Sequence, residues 1–205
     1  MQAARGTPIT AGHPTTAVRR PELRWLFALV AVAGLVLDVL TKVIVVSRLD
    51  PEAPVRLLGG LLTLRLIRNP GAAFSLGERF TFVFALLSVA VLVFVVVRLV
   101  PRLGHPGWAV AFGLLAAGVS GNLADRIFRA PGFLHGHVVD FLQLPHWPIF
   151  NVADMCITSA AVLIMVLSVV KNVGIGGESY AKQTPPVAAA QPVEPGVAVE
   201  PERSE

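Results

Sequence analysis

The chain has 205 residues, 54% of them hydrophobic and 15% charged, with a mean hydropathy of +0.69. That balance excludes an ordinary soluble domain and marks an integral membrane protein. The formal net charge of +4 is scattered through loops and ends, so no nucleic-acid partner is expected; in a membrane protein it reports topology and anionic lipid instead. A single cysteine, Cys156, excludes an intramolecular disulfide.

Residues 1–23 are rich in Gly, Pro, Thr and Ala, lack apolar periodicity, and are expected to be a disordered tail. The first apolar run begins near Arg24 and is long enough to span, so it reads as a membrane helix rather than a cleaved signal peptide. Residues 25–46 form this first span, sufficient for a hydrocarbon core of about 30 Å. Asp38 and Lys42 interrupt its outer third at i and i+4, acid first, which suits a pair. They read either as a structural ion pair with Lys42 snorkelling outward or as support for an active site. Residues 47–79 are a polar connection in which 55–67 is rich in Leu and β-branched residues, with Gly59-Gly60 placed to turn a hairpin. Asn69-Pro70-Gly71 is turn chemistry. Asn69 is thus a turn former or a side chain that clamps backbone.

Residues 80–100 are a second span, free of charge until Arg98, expected to face lipid and to carry no chemistry. Residues 108–128 are a third, where Gly113, Ala117 and Gly121 recur every four residues and allow another helix to approach closely. Asn122, Asp125 and Arg126 crowd its far end. Residues 129–150 leave the membrane and return, with a short apolar run, Val138-Val139-Asp140-Phe141-Leu142, around one acid, and Trp147 as an interfacial anchor. Residues 151–170 are the fourth span. Residues 172–205 turn Gly, Pro, Ala and Glu-rich and are expected to be a second disordered tail.

Position along the spans gathers the polar groups. Asp38 lies 14 residues beyond Arg24, roughly 21 Å along its helix at 1.5 Å per residue, and Asn122 stands at a similar height above Trp108. The fourth helix runs the other way and begins with Asn151 and Asp154. All the intramembrane polar residues therefore meet at one level. Counting basic residues near short loops places both termini in the cytoplasm and this level near the outer leaflet.

Polar groups inside a membrane are costly and are functional candidates by default. Of the three acids between Gly118 and Asp154, two that meet in a low-dielectric site share a proton and together activate water, the logic of an aspartic protease, with no cofactor required. Other readings stand beside it. Asn151 and Asp154 are also what a helix N-terminus prefers, Asp125 beside Arg126 is also a structural pair, and the same acids would serve a small transporter or proton relay. A structural subunit without chemistry is the third possibility. His135 and His137 form an HxH pair, but no HExxH or cysteine cluster accompanies them, so no metal site is expected. Cys156 reads as a small buried hydrophobe.

Five stretches, in order across the four spans, resemble the lipoprotein signal peptidase (signal peptidase II) family of bacterial membrane aspartic proteases. They are Asp38-Val39-Leu40-Thr41-Lys42, Asn69-Pro70-Gly71-Ala72-Ala73-Phe74, Gly121-Asn122-Leu123-Ala124-Asp125-Arg126, Val138-Val139-Asp140-Phe141 and Phe150-Asn151-Val152-Ala153-Asp154. The resemblance covers residues 24–171 as one peptidase domain. It implies an all-α membrane protein of four transmembrane helices, with a small extracytoplasmic β-cradle and a periplasmic-side lid helix supplied by 47–79 and 129–150. It implies removal of the signal peptide from a diacylglyceryl-modified prolipoprotein, cut just before the lipid-bearing cysteine, in the bacterial cytoplasmic membrane. It assigns Asp140 and Asp154 as the catalytic pair, and Asn69, Gly71, Asn122, Asp125, Arg126, Asn151, Asp38 and Lys42 to substrate binding or support. It calls for no metal and no cofactor; the expected partners are the lipoprotein precursor and membrane lipid, with the enzyme a monomer. Two departures stand out: Ala117 occupies a position where the family has glycine, and the interval from Asp125 to Asp140 is long, which bears on the shape of the lid.

Overall fold

The computed structural model describes residues 21–71 and 77–179. The tail expectations for 1–20 and 180–205, and Ala72-Ala73-Phe74 of the Asn69 stretch, lie outside the described residues. Four helices are long and apolar enough to cross a membrane, at Pro21–Arg48, Thr81–Arg102, Pro106–Phe128 and Val152–Val170.

Helix α1 (Pro21–Arg48) starts four residues before the expected 25. Proline is preset for the first helical turn, where its missing N–H is no loss, and Glu22 favours the same end of the dipole. The tail boundary at 23 is corrected accordingly: Leu23 is buried in the bundle. Helix α2 (Gly77–Phe94) continues through a π turn at Val95–Leu99 and a 3-10 turn at Val100–Arg102. Helix α3 (Pro106–Phe128) is the hub, packed against α1, α2 and α4 (Val152–Met165, extended by a π turn at Val166–Val170). Its small residues decide those approaches. A Cβ on Gly34 of α1 would stand 2.7 Å from the Ala117 methyl, and one on Gly118 would stand 2.3 Å from the Ala153 carbonyl of α4.

A three-stranded antiparallel sheet joins the helices at one end, in the order β1 (Val55–Leu57), β2 (Leu62–Asn69), β3 (Val138–Gln143). The Gly59-Gly60 hairpin forms as expected, through a 3-10 turn at Leu58–Gly60. The third strand is the apolar run around Asp140. It pairs Asn69 with Val138 and Ile67 with Asp140, past a bulge. Val139 and Phe141 press onto Val45 and Leu66, fixing the sheet to the end of α1. Among the described residues, the only helix in the two connections, besides the ends of α1 and α2, is this 3-10 turn, and the expected lid helix is not among their elements.

The second tail boundary also shifts. Residues 172–179 form a packed turn: Gly104 N–H donates to the Ile175 carbonyl (2.9 Å), the Trp108 indole donates to the Val173 carbonyl (3.0 Å), and Val173 bridges Ser179. Composition flagged this Gly-rich segment as disordered, but Val173 and Ile175 have an apolar cluster to pack on.

Candidate active site

The site is assembled at the N-terminus of α4. Asn151 caps the helix, accepting from Asp154 N–H (3.0 Å), while the Asp154 carboxylate accepts from Asn151 N–H (3.1 Å), a reciprocal capping box. The next free amide, Ala153 N–H, donates to Asp38 Oδ1 from α1 (2.8 Å). The helix end thus takes an acid from its own first turn and a second from a neighbouring helix.

The amides of Asn122 and Asn151 then link the carboxyls. Asn151 Nδ2 donates to Asp140 Oδ1 (2.6 Å) and lies 3.2 Å from Asn122 Oδ1; Asn122 Nδ2 donates to Asp154 Oδ1 (2.9 Å). Asn69 Nδ2 donates to the other Asp140 oxygen (2.8 Å), and its own Oδ1 accepts from Gly71 N–H (2.9 Å). The turn reading of Asn69 is realised at one end of its amide, while the other end holds the Asp140 acid, a role the sequence did not suggest. Asn151, likewise, is a helix cap and an acid holder at once. Asn69, Gly71, Asn122, Arg126, Val138, Asp140 and Asp154 line a cavity of about 130 Å³.

Asp140 stands in β3, outside the spanning helices and almost fully buried. Burial pushes its carboxyl up to about 6. The Asn69 amide opposes that rise, the Asp154 charge adds to it, and the Asn151 amide and Lys42 lower it. A carboxyl so placed gains and loses a proton in the range useful for general acid–base work.

Behind the cavity lies a buried charge cluster. Lys42 is 1% exposed and holds Asp38 and Asp125, each at 2.8 Å, and Asn122 Oδ1 at 3.1 Å. This corrects the expectation of an outward-snorkelling lysine: three acceptors inside the bundle satisfy its three N–H donors. The Asp125–Arg126 pair is corrected too. Adjacent helical residues point to different faces, whereas i and i+4 meet, so Asp125 pairs with Arg129 and Lys42 and accepts from Val139 N–H (3.1 Å). Arg126 instead donates to the Asn122 carbonyl (2.9 Å), lies over the Phe84 ring at 5.9 Å, and keeps a buried Nε without an acceptor among the described residues.

Sequence reasoning missed what α2 supplies. Thr81 is buried, donates to the Pro70 carbonyl behind the Asn69 turn, and lines a neighbouring cavity of about 520 Å³ with Pro131, Gly132, Phe133, His135 and His137. A hydroxyl at the start of an otherwise apolar span was the available signal. His135 stacks on Phe82 at 5.8 Å. Among the described residues, no group of three or more His, Cys, Asp or Glu is placed to hold a metal ion.

The family model described as signal peptidase (SPase) II matches residues 30–170. The chain belongs to the signal peptidase II family. It is similar to the lipoprotein signal peptidase of Rhodococcus jostii, 47% identical over 144 residues, covering 69% of this chain and 72% of the relative. Similarity to that of Mycobacterium tuberculosis is 45% over 159 residues, 78% of each chain, and to that of Leifsonia xyli 40% over 189 residues, 92% of this chain and 87% of the relative. A solved bacterial membrane enzyme superposes with a TM-score of 0.58 at 28% identity, covering 71% of this chain and 88% of the other. As a signal peptidase II family member the chain is a multi-pass bacterial membrane enzyme of the aspartic endopeptidase class. The transporter and subunit readings are not favoured.

Proposed function

We propose that this enzyme removes the signal peptide from diacylglyceryl-modified prolipoproteins, cutting just before the lipid-bearing cysteine, with Asp140 and Asp154 as the catalytic pair. One observation carries the assignment: these two carboxyls line the same small cavity and are tied to each other through the Asn151 and Asn122 amides. Asp125, the third acid of the stretch, spends its oxygens on Lys42, Arg129 and Val139 N–H, a scaffold role.

In the proposed reaction a water in the cavity lies between the carboxyls. One member of the pair, ionised, takes its proton as it attacks the scissile carbonyl, and the other, protonated, donates its O–H to the carbonyl oxygen and passes it the proton that completes the gem-diol. The gem-diol intermediate collapses with protonation of the leaving amine. Arg126, with a buried Nε donor that no described group accepts, is suited to hold substrate backbone beside the dyad. Asn69, Gly71, Asn122 and Asn151 shape the pocket, while Asp38, Lys42 and Asp125 support it.

The charge balance of the loops supports cytoplasmic termini and a site near the outer leaflet, where a lipid-modified substrate enters sideways with its acyl chains still in hydrocarbon. A monomer suffices, because one chain supplies every group named. The test is cleavage of a diacylglyceryl-modified precursor peptide by the purified full chain in detergent, with mass-spectrometric mapping of the cut. Cleavage at another bond, or equal turnover of the unmodified peptide, would overturn the substrate assignment.

A further inference from the structure

A polar cavity away from the site has no assigned role. It is about 600 Å³ and lies on the sheet, lined by Arg56 of β1, Thr63 and Arg65 of β2, Gln143 at the end of β3 and His146 beyond it. Arg56 pairs in register with Thr63, and Thr63 with Gln143, so these three side chains share one face. Among the described residues, no acid lines the cavity. Neither arginine has an ion pair or side-chain hydrogen bond among the described residues. Two guanidiniums with unused donors, beside a hydroxyl and an amide, match a phosphate group.

A second observation says where that phosphate comes from. The hairpin tip beside the cavity is apolar and bare: Leu58 is 76% exposed and Leu61 60%, next to Leu57. Leu58 also has φ 51, a left-handed conformation that disfavours any Cβ and that glycine or asparagine would adopt more readily. An exposed leucine held there gains nothing from the protein interior. Trp147, 64% exposed, follows His146 on the other rim. Bare leucines and a tryptophan flanking basic side chains make the composition of a membrane-interface contact.

We propose that the β1–β2 hairpin tip and Trp147 enter the interfacial layer of the bilayer and that the Arg56–Arg65 cavity binds the phosphate headgroup of an anionic phospholipid. With two cations and no acid among the described lining residues, a net-negative lipid is favoured over a zwitterionic one. The contact sets the sheet at a fixed depth and is independent of which acids perform the cleavage.

The full chain in detergent is titrated with phosphatidylglycerol, phosphatidylcholine or inorganic phosphate, and the thermal unfolding midpoint is followed. Phosphatidylglycerol raises the midpoint; the other two raise it little. The double substitution Arg56→Gln with Arg65→Gln weakens the phosphatidylglycerol effect roughly 30-fold in half-saturating concentration, about fivefold for each basic side chain near an anionic surface, while precursor cleavage in detergent is unchanged. In a Cys156→Ser background, Leu58→Cys carrying an environment-sensitive fluorophore is quenched by brominated lipid in nanodiscs. The proposal is overturned by a midpoint that does not respond to phosphatidylglycerol, by an equal response in the double variant, by inorganic phosphate alone reproducing the effect, or by an unquenched fluorophore.

Discussion

At one end of the bundle Leu23, Val95, Leu103, Trp108, Phe112 and Leu167 pack as a hydrophobic cluster. At the other, Asp38, Lys42, Asn122, Asp125, Asn151 and Asp154 meet through ion pairs and amide hydrogen bonds. The same helices build both, yet the ends are held by different physics. Lipid tails are as apolar as leucine, so the first end gains only close packing over exposure to lipid, whereas polar groups at the second must find partners inside the protein. Packing tolerates small changes. A network in which Lys42 holds two carboxylates and an amide does not, because deleting one member leaves the others buried and unpaired.

The sharpest way to expose that difference is to remove the proposed catalytic pair. Asp140→Asn and Asp154→Asn are each expected to lower single-turnover cleavage by about 10³–10⁴-fold, and the double substitution to be no worse than either alone, since the two act as a unit. Substantial turnover in Asp140→Asn, with none in a stably folded Asp125→Asn, would mean the pair is misassigned.

Next in size is the supporting cluster. Lys42→Met strands Asp38 and Asp125 without their shared cation and is expected to cost about 3–5 kcal/mol, read by thermal unfolding in detergent. Adding Asp38→Asn should recover part of the loss. A double variant no more stable than Lys42→Met would contradict the coupling seen in the structure.

The pH dependence tests the polar end from another direction. The Asp140 carboxyl is raised from 3.8 to about 6, so the folded state keeps a proton that the unfolded chain has released. Its contribution to stability is complete below pH 3.8 and is lost as pH rises through about 6, about 3 kcal/mol in all. Asp140→Asn lacks this term. The stability of wild type relative to this variant should therefore fall between pH 4 and 7; a flat difference would remove the argument for a perturbed acid.

Smaller effects come from packing. A methyl on Gly121 would stand 2.4 Å from Asp38 Oδ2, so Gly121→Ala is expected to cost about 1–3 kcal/mol through strain and to reduce turnover by displacing the acid that holds Ala153 N–H. At the apolar end, Trp108→Phe deletes the indole hydrogen bond to Val173 and should cost only about 1 kcal/mol, with cleavage per folded molecule unchanged. A loss of turnover there equal to that of Gly121→Ala would erase the distinction between the two ends.

The local signals and the long-range ones separate cleanly in this chain. Continuous apolar length determined four spans, because a bilayer sets the length of helix it accepts. Residue counts along those spans put Asp38, Asn122 and Asp154 at one level, and turn residues marked the Gly59-Gly60 hairpin. Asn151 before Asp154 announced a capped helix. Partner choice was another matter. That Lys42 points inward to Asp125 of α3, and that Thr81 braces the Asn69 turn, depend on how α1, α2 and α3 meet. That the run around Asp140 is a strand pairing with β2 depends on a segment some 70 residues away, and the order in 172–179 depends on an apolar surface built by α3 and its neighbours. Hydropathy and spacing are properties of a single segment. Hydrogen-bond partners, and which face of a strand meets the cavity, are fixed only when separate segments pack, so tertiary structure alone decided them.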